Sequence, residues 1–183
     1  MVLDVQRVTP AEFDRFIRKP ENKSRNFELI AGEIVEKMVS SPRSSKIGMR
    51  VGGRLSVWVE DRGLGIVTGA DGGCIVNGER YIPDAAFMSK ARQPVEPSDA
   101  YNPLAPDLAV EVLSPTDDRD EILIKVGNYL AAGTVTWVIN PDKQRVEVYQ
   151  QGQPPIILSG DEVLDGGDVL PGFSLVVSTL FAE

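Results

Sequence analysis

Leu108-Ala109-Val110-Glu111-Val112-Leu113 is the stretch on which the fold turns. It lies between two proline-containing turns, Pro106-Asp107 and Ser114-Pro115, and its apolar, partly β-branched composition predicts a short strand. Glu111 stands inside it with apolar neighbours on both sides. Such a carboxylate either faces water from a half-buried strand, the commoner case for one residue alone, or is held inside for a chemical purpose. Ile82-Pro83-Asp84-Ala85-Ala86-Phe87 presents a second acid in the same setting. Asp107 lies four positions before Glu111, so a strand puts both on one face about 13 Å apart, too far to grip one ion. Two carboxylates that share a metal must therefore come from neighbouring strands, a requirement that Asp84 and Glu111 meet.

Elements on either side follow from local chemistry. Thr9-Pro10-Ala11-Glu12 has the form of a capping box with proline at the first helical position, opening a short helix closed by Pro20. Phe27 to Met38 predicts a hairpin turning at Ala31-Gly32. Ile47, Val51, Leu55 and Trp58 recur at helical spacing and predict a long helix from about Ser44 to Asp61. Strands are expected at Gly65–Thr68, Cys74–Val76, Tyr81–Met88, Leu108–Leu113, Val135–Ile139, Arg145–Tyr149 and Ser174–Phe181, with a second long helix over Asp117–Ala132. The order predicts a mixed α+β (α/β) domain, a central mixed β-sheet flanked by helices, spanning residues 1–183 as one domain.

Composition narrows the chemistry. The 183 residues include no histidine and one cysteine, Cys74. Ser-His-Asp and Cys-His nucleophiles, histidine metal ligands and thiolate zinc sites are thereby excluded, leaving carboxylates, lysine, arginine, hydroxyls and hard metal ions. The lone cysteine, the absence of a signal pattern in MVLDVQRVTP and the short apolar runs predict a cytoplasmic protein with no membrane segment. The formal net charge of −8 argues against a broad nucleic-acid surface but leaves room for a local basic track. Arg43, Lys46, Arg50 and Arg54, spaced by three, four and four, form one stripe on the long helix; a solvated face is the ordinary explanation, a phosphate track the sharper one. Lys125 interrupts Ile122-Leu123-Ile124-Lys125-Val126, with Tyr129 one turn later. Either its stem lies on apolar surface with the ammonium in water, or the ammonium points at the carboxylates.

The segments FELIAGEIVEKM, RYIPDAAFM, PDLAVEVLSP, KVGNYLAAGTVTWVINP and LPGFSLVV, in this order over nearly the whole chain, resemble the Uma-two family of the restriction-endonuclease-like superfamily, named for its P-D…(D/E)-x-K motif. The resemblance implies a restriction-endonuclease-like fold and a metal-dependent endonuclease acting on DNA. It matches Pro83-Asp84 to the P-D element, Glu111 to the second acid and Lys125 to a lysine displaced onto the following helix, since Leu113 occupies the usual position. Glu28 and Asp107 match further acidic positions and are the auxiliary candidates for the metal. Asp84 and Glu111 then hold Mg²⁺ or Mn²⁺, with Lys125 beside the attacking water or the developing charge. Many relatives carry a histidine after the Ser-Pro that follows the hairpin; here Arg43, Ser44, Ser45 and Lys46 follow Ser41-Pro42. A homodimer is expected from the need to cut two strands. The alternatives are a catalytically inactive nucleic-acid- or protein-binding module on the same fold and a carboxylate glycosidase, the latter disfavoured because only Trp58 and Trp137 are available as tryptophan platforms.

Overall fold

The computed structural model describes residues 7–115 and 117–182. Helix α1 (Pro10–Ile17) and a 3₁₀ turn precede the hairpin β1 (Phe27–Ile30) and β2 (Glu33–Glu36). The long helix α2 (Pro42–Arg62) leads into β3 (Gly65–Gly69), β4 (Gly73–Val76), β5 (Glu79–Tyr81), β6 (Ala85–Ser89), β7 (Tyr101–Asn102) and β8 (Leu108–Val112). Helix α3 (Arg119–Ala131) crosses to β9 (Val135–Asn140), followed by β10 (Arg145–Tyr149), β11 (Ile156–Ser159), β12 (Val163–Asp165), β13 (Ser174–Val176) and the terminal turn α4 (Ser178–Phe181). No helix among the described residues is long and apolar enough to cross a membrane.

The strands form a six-stranded mixed sheet in the order β11-β10-β9-β8-β6-β3, a five-stranded sheet in the order β2-β1-β5-β4-β7, and the pair β12-β13. The parallel pairing of β8 with β9 requires a crossover, which α3 supplies. All five residues of β8 are buried, as expected of a central strand covered on both faces. Its alternation divides two cores. Leu108, Val110 and Val112 join Ile47, Val51, Leu55 and Val59 of α2, whereas Ala109 faces Tyr81, Cys74 and Tyr129. By the same period of two, Glu111 lies on the Ala109 side, between the sheets and α3.

Two sequence expectations need correction. Tyr81–Met88 is two strands in different sheets: β5 ends at Tyr81, β6 begins at Ala85, and Ile82-Pro83-Asp84 carries the chain across. Proline has no N–H to give to a ladder, so the break falls there. Ser174–Phe181 is a strand only to Val176; a helical turn follows, which buries Leu180 completely. A short apolar run does not by itself distinguish the two. The hairpin turn at Ala31-Gly32 is as expected, both residues taking positive φ (51° and 80°), the geometry that a two-residue hairpin turn of the favoured hand demands. Gly65 is fixed by contact rather than by φ, because an added Cβ would stand 2.0 Å from the Met88 carbonyl oxygen.

The C-terminal segment closes the core on α2 and the large sheet. Trp137 of β9 stacks on Phe173 with ring centroids 5.9 Å apart, and Trp58 of α2 meets Phe173 edge-on at 5.9 Å. Trp137→Ala is expected to destabilise the fold by about 3–5 kcal/mol, measured by urea unfolding with an unchanged denaturant slope.

Candidate active site

The switch between sheets places the first acid. Asp84 follows Pro83, and its N–H donates to the Val110 carbonyl at 2.9 Å, tying the end of the crossing to β8. The β6–β8 register starts at the pair Ala85–Val110, so Asp84 lies one residue before the paired strand, beside the end of β8. Asp84 Oδ2 accepts the Val112 N–H at 2.7 Å, and Oδ1 accepts from Lys37 Nζ at 3.0 Å. Lys37 Nζ also donates to the Ile82 carbonyl, so it spans the crossing segment.

Glu111 is held by α3. Lys125 Nζ lies 2.8 Å from Glu111 Oε1 and 2.9 Å from Glu28 Oε1, and the Tyr129 hydroxyl donates to Glu111 Oε1 at 3.0 Å. Lys125 and Tyr129 are four residues apart and so share a helix face. Glu28 Oε1 also accepts the Ile82 N–H at 2.6 Å, which links the small sheet to the crossing segment. Burial raises the pKa of Glu111 to about 7, with Lys125 working against that shift and Glu28 adding to it. Burial alone would discharge Lys125, but Glu111 and Glu28 outweigh it and hold the ammonium above the ordinary lysine range. Burial, then the charge of Glu111, push the Cys74 thiol up to about 12, so it is a packed group of the inner core, not a nucleophile.

These groups open onto one cleft of about 330 Å³, lined among others by Glu28, Lys37, Asp84, Glu111 and Lys125, with Asp117, Asp118 and Glu121 toward the start of α3. Four sequence candidates thus meet: Asp84, Glu111, Lys125 and Glu28. Asp107 does not join them. It pairs with Arg92 at 2.9 Å and accepts the Ser89 N–H at 2.7 Å, which anchors the end of β6. The basic stripe also lies elsewhere. Arg43 pairs with Asp142 at 3.1 Å, Arg50 donates to the Leu180 carbonyl at 3.0 Å, Lys46 reaches the Ala182 carbonyl at 3.4 Å, and Arg54 is exposed. In the segment after Ser41-Pro42, Ser44 is buried and donates to the Leu113 carbonyl at 3.0 Å, joining α2 to the end of β8. Lys37 is the residue that sequence reasoning missed. It ends an alternating hairpin arm, where a lysine has the look of ordinary surface charge, and its partner is 47 positions away.

The donor set is all hard oxygen and suits Mg²⁺ or Mn²⁺, which bind through one or two carboxylates and keep several waters. Among the described residues no three histidine, cysteine or acidic side chains already stand as a closed metal cage. Lys125 lies between Glu28 and Glu111, and Lys37 takes one oxygen of Asp84. A two-carboxylate seat with water completing the shell is the arrangement these residues fit.

Fold and cleft define the class: a restriction-endonuclease-like α+β scaffold with its acids at the junction of two sheets. The chain is similar to a crystal structure described as "a putative nuclease belonging to DUF820" from Anabaena variabilis ATCC 29413, with TM-score 0.83 and 23% identity, covering 95% of this chain and 97% of that one. At that identity the likeness shows the architecture. Residues 10–178 match the Uma2 family, described as "Putative restriction endonuclease", and the chain belongs to that family. No curated protein matches it.

The buried triad yields a signed expectation. Lys125→Met leaves Glu28 and Glu111 buried without the cation between them, at an expected loss of about 3–5 kcal/mol. Glu111 already titrates near 7 against 4.5 for an unperturbed carboxyl, and removing the ammonium raises it further. The folded state then binds more protons than the unfolded state from about 4.5 upward through 7, so stability falls as pH rises through that window. Urea melts of Lys125→Met against the parent chain are expected to show a larger deficit at pH 8 than at pH 5.

Proposed function

We propose that this protein is a divalent-metal-dependent nuclease that hydrolyses DNA phosphodiester bonds. The observation that carries the reading is that Asp84, at the crossing between sheets, and Glu111, on the neighbouring strand β8, line one cleft, with Lys125 against Glu111. Asp84 and Glu111 are the residues that hold Mg²⁺ or Mn²⁺, and Glu28 is an auxiliary kept close by Lys125. A bound ion there supplies Lewis-acid polarisation of the phosphodiester and a water of lowered pKa. Tyr129 and Lys125 fix the Glu111 carboxylate in orientation, and Lys125 offsets charge that develops beside it. Asp107 has no part in the site.

Charge explains why such a site would depend on the ion. Glu28, Glu36, Asp84, Glu111, Asp117, Asp118 and Glu121 line the cleft against Lys37 and Lys125. A phosphate entering that field is repelled until a cation offsets it. Of the basic stripe, Arg54 is the exposed member that makes neither an ion pair nor a side-chain hydrogen bond among the described residues, and it is the one assigned to phosphates outside the cleft. A homodimer, which sets two sites against two strands, and a cytoplasmic setting, consistent with the lone reduced thiol, complete the proposal.

The acidic lining also favours the second reading, a binding module without cleavage, and one experiment separates the two. Purified protein is incubated with plasmid and with single-stranded DNA in Mn²⁺, Mg²⁺ or EDTA, alongside Asp84→Asn and Glu111→Gln. Metal-dependent cutting that drops by about 10²-fold or more in each variant is expected. Equal cutting by all three proteins would overturn the assignment of the site, and metal-independent DNA binding without cutting would favour the module.

A further inference from the structure

The cleft contains two ammonium groups in different situations. The side chain of Lys125 is 4% exposed and lies between two buried carboxylates, so it is locked. That of Lys37 is 17% exposed and stands at the wall of the cleft. Its backbone is fixed, because the Lys37 N–H donates to the Asn26 carbonyl at 2.9 Å, but the chain beyond it is free of regular structure and Val39 is 93% exposed. Movement at this point is therefore rotation of the Lys37 side chain. An ammonium has three N–H donors, and Ile82 and Asp84 use two of them, leaving the third for the cleft.

Each Asp84 oxygen already accepts one hydrogen bond, which leaves one lone-pair site apiece. Oδ2 is held by the Val112 N–H, a backbone donor of the central strand that does not move aside, and Oδ1 is held by Lys37. A cation that takes Asp84 as a ligand meets the Lys37 ammonium 3.0 Å from Oδ1, and repulsion between the two positive charges favours its release. We infer, on the reading that Asp84 and Glu111 form a metal seat, that Lys37 is the resident counter-ion of that seat: a divalent cation displaces its ammonium from Asp84, and the released ammonium then binds a non-bridging oxygen of the substrate phosphodiester. The charges agree with this exchange. Glu28, Glu36, Asp84, Glu111, Asp117, Asp118 and Glu121 against Lys37 and Lys125 give the cleft an acidic excess, so a divalent ion is drawn in and an entering phosphodiester gains from both the ion and a freed ammonium. Retained within about 4–6 Å of Asp84, the displaced ammonium also compensates the phosphate charge that Lys125, locked against its acids, reaches least.

Mn²⁺ binding measured by isothermal titration calorimetry tests this without relying on cleavage. Lys37→Met is expected to bind Mn²⁺ about tenfold or more tightly than the parent chain, because a charge-assisted contact no longer competes for Oδ1. In the same variant kcat for DNA cleavage is expected to fall about 10²-fold with a smaller change in KM. Lys37→Arg, which keeps the charge, is expected to restore parent-like metal affinity and part of the rate. In the parent chain, acylation of Lys37 followed by mass spectrometry is expected to accelerate when Mn²⁺ is added while Lys125 stays protected, a readout that does not depend on how the variants fold. Metal affinity that is unchanged or weaker in Lys37→Met, with Lys37 acylation indifferent to Mn²⁺, overturns the inference and leaves the metal seat standing. Failure of both parent and Lys37→Met to bind Mn²⁺ overturns the metal seat and this exchange together.

Discussion

Lys125, buried between Glu28 and Glu111, is the contact on which the rest of the structure depends. Glu28 belongs to the small sheet, Glu111 to the central strand of the large sheet, and Lys125 to the crossover helix between β8 and β9. One ammonium therefore joins three elements far apart in sequence. Groups this deeply buried are tolerated only when charge and hydrogen bonds are satisfied together. Ile82 and Tyr129 supply the remaining partners, through a backbone N–H to Glu28 and a hydroxyl to Glu111. A well-packed apolar substitute could hold the same three elements together, so the fold alone gives no reason for charge at this point. That mismatch between stability and chemistry is the physical case for a functional site here.

The crossing at Ile82-Pro83-Asp84 turns this architecture into a cleft. Proline ends one strand, the chain changes sheets, and the next residue carries a carboxylate into the gap that the change of direction opens. Strand alternation settles the rest. Ala109 and Glu111 share the inner face of β8, so the central strand presents apolar residues to α2 and an acid to α3 from one five-residue segment.

Much of this was legible in the sequence because it is local. The hairpin announced itself through Ala31-Gly32, α2 through Ile47, Val51 and Leu55, and β8 through an apolar run between prolines. Asp84, Glu111 and Lys125 were visible as charges in apolar surroundings, a pattern that burial must explain. What escaped depends on distant pairing. Pro83 marks a break within Tyr81–Met88, but which sheet each half joins is decided by β1, β3, β4 and β8. Lys37 is spaced like a surface residue, and only the return of the chain at Ile82 brings its partner to it. Asp107 has the same local signature as the site acids, and its role is set by Arg92, which comes from the loop after β6. The arginine stripe was correctly spaced as one helix face, but its partners at Asp142 and Leu180 lie roughly a hundred or more positions downstream.

The account reduces to a claim about where a cation goes. Crystals of the protein soaked in Mn²⁺ and measured at the manganese absorption edge test it directly. The expected result is an anomalous peak in the cleft with carboxylate oxygens of both Asp84 and Glu111 at about 2.1 Å. A peak that engages neither residue, or no peak in the cleft at saturating Mn²⁺, would contradict it.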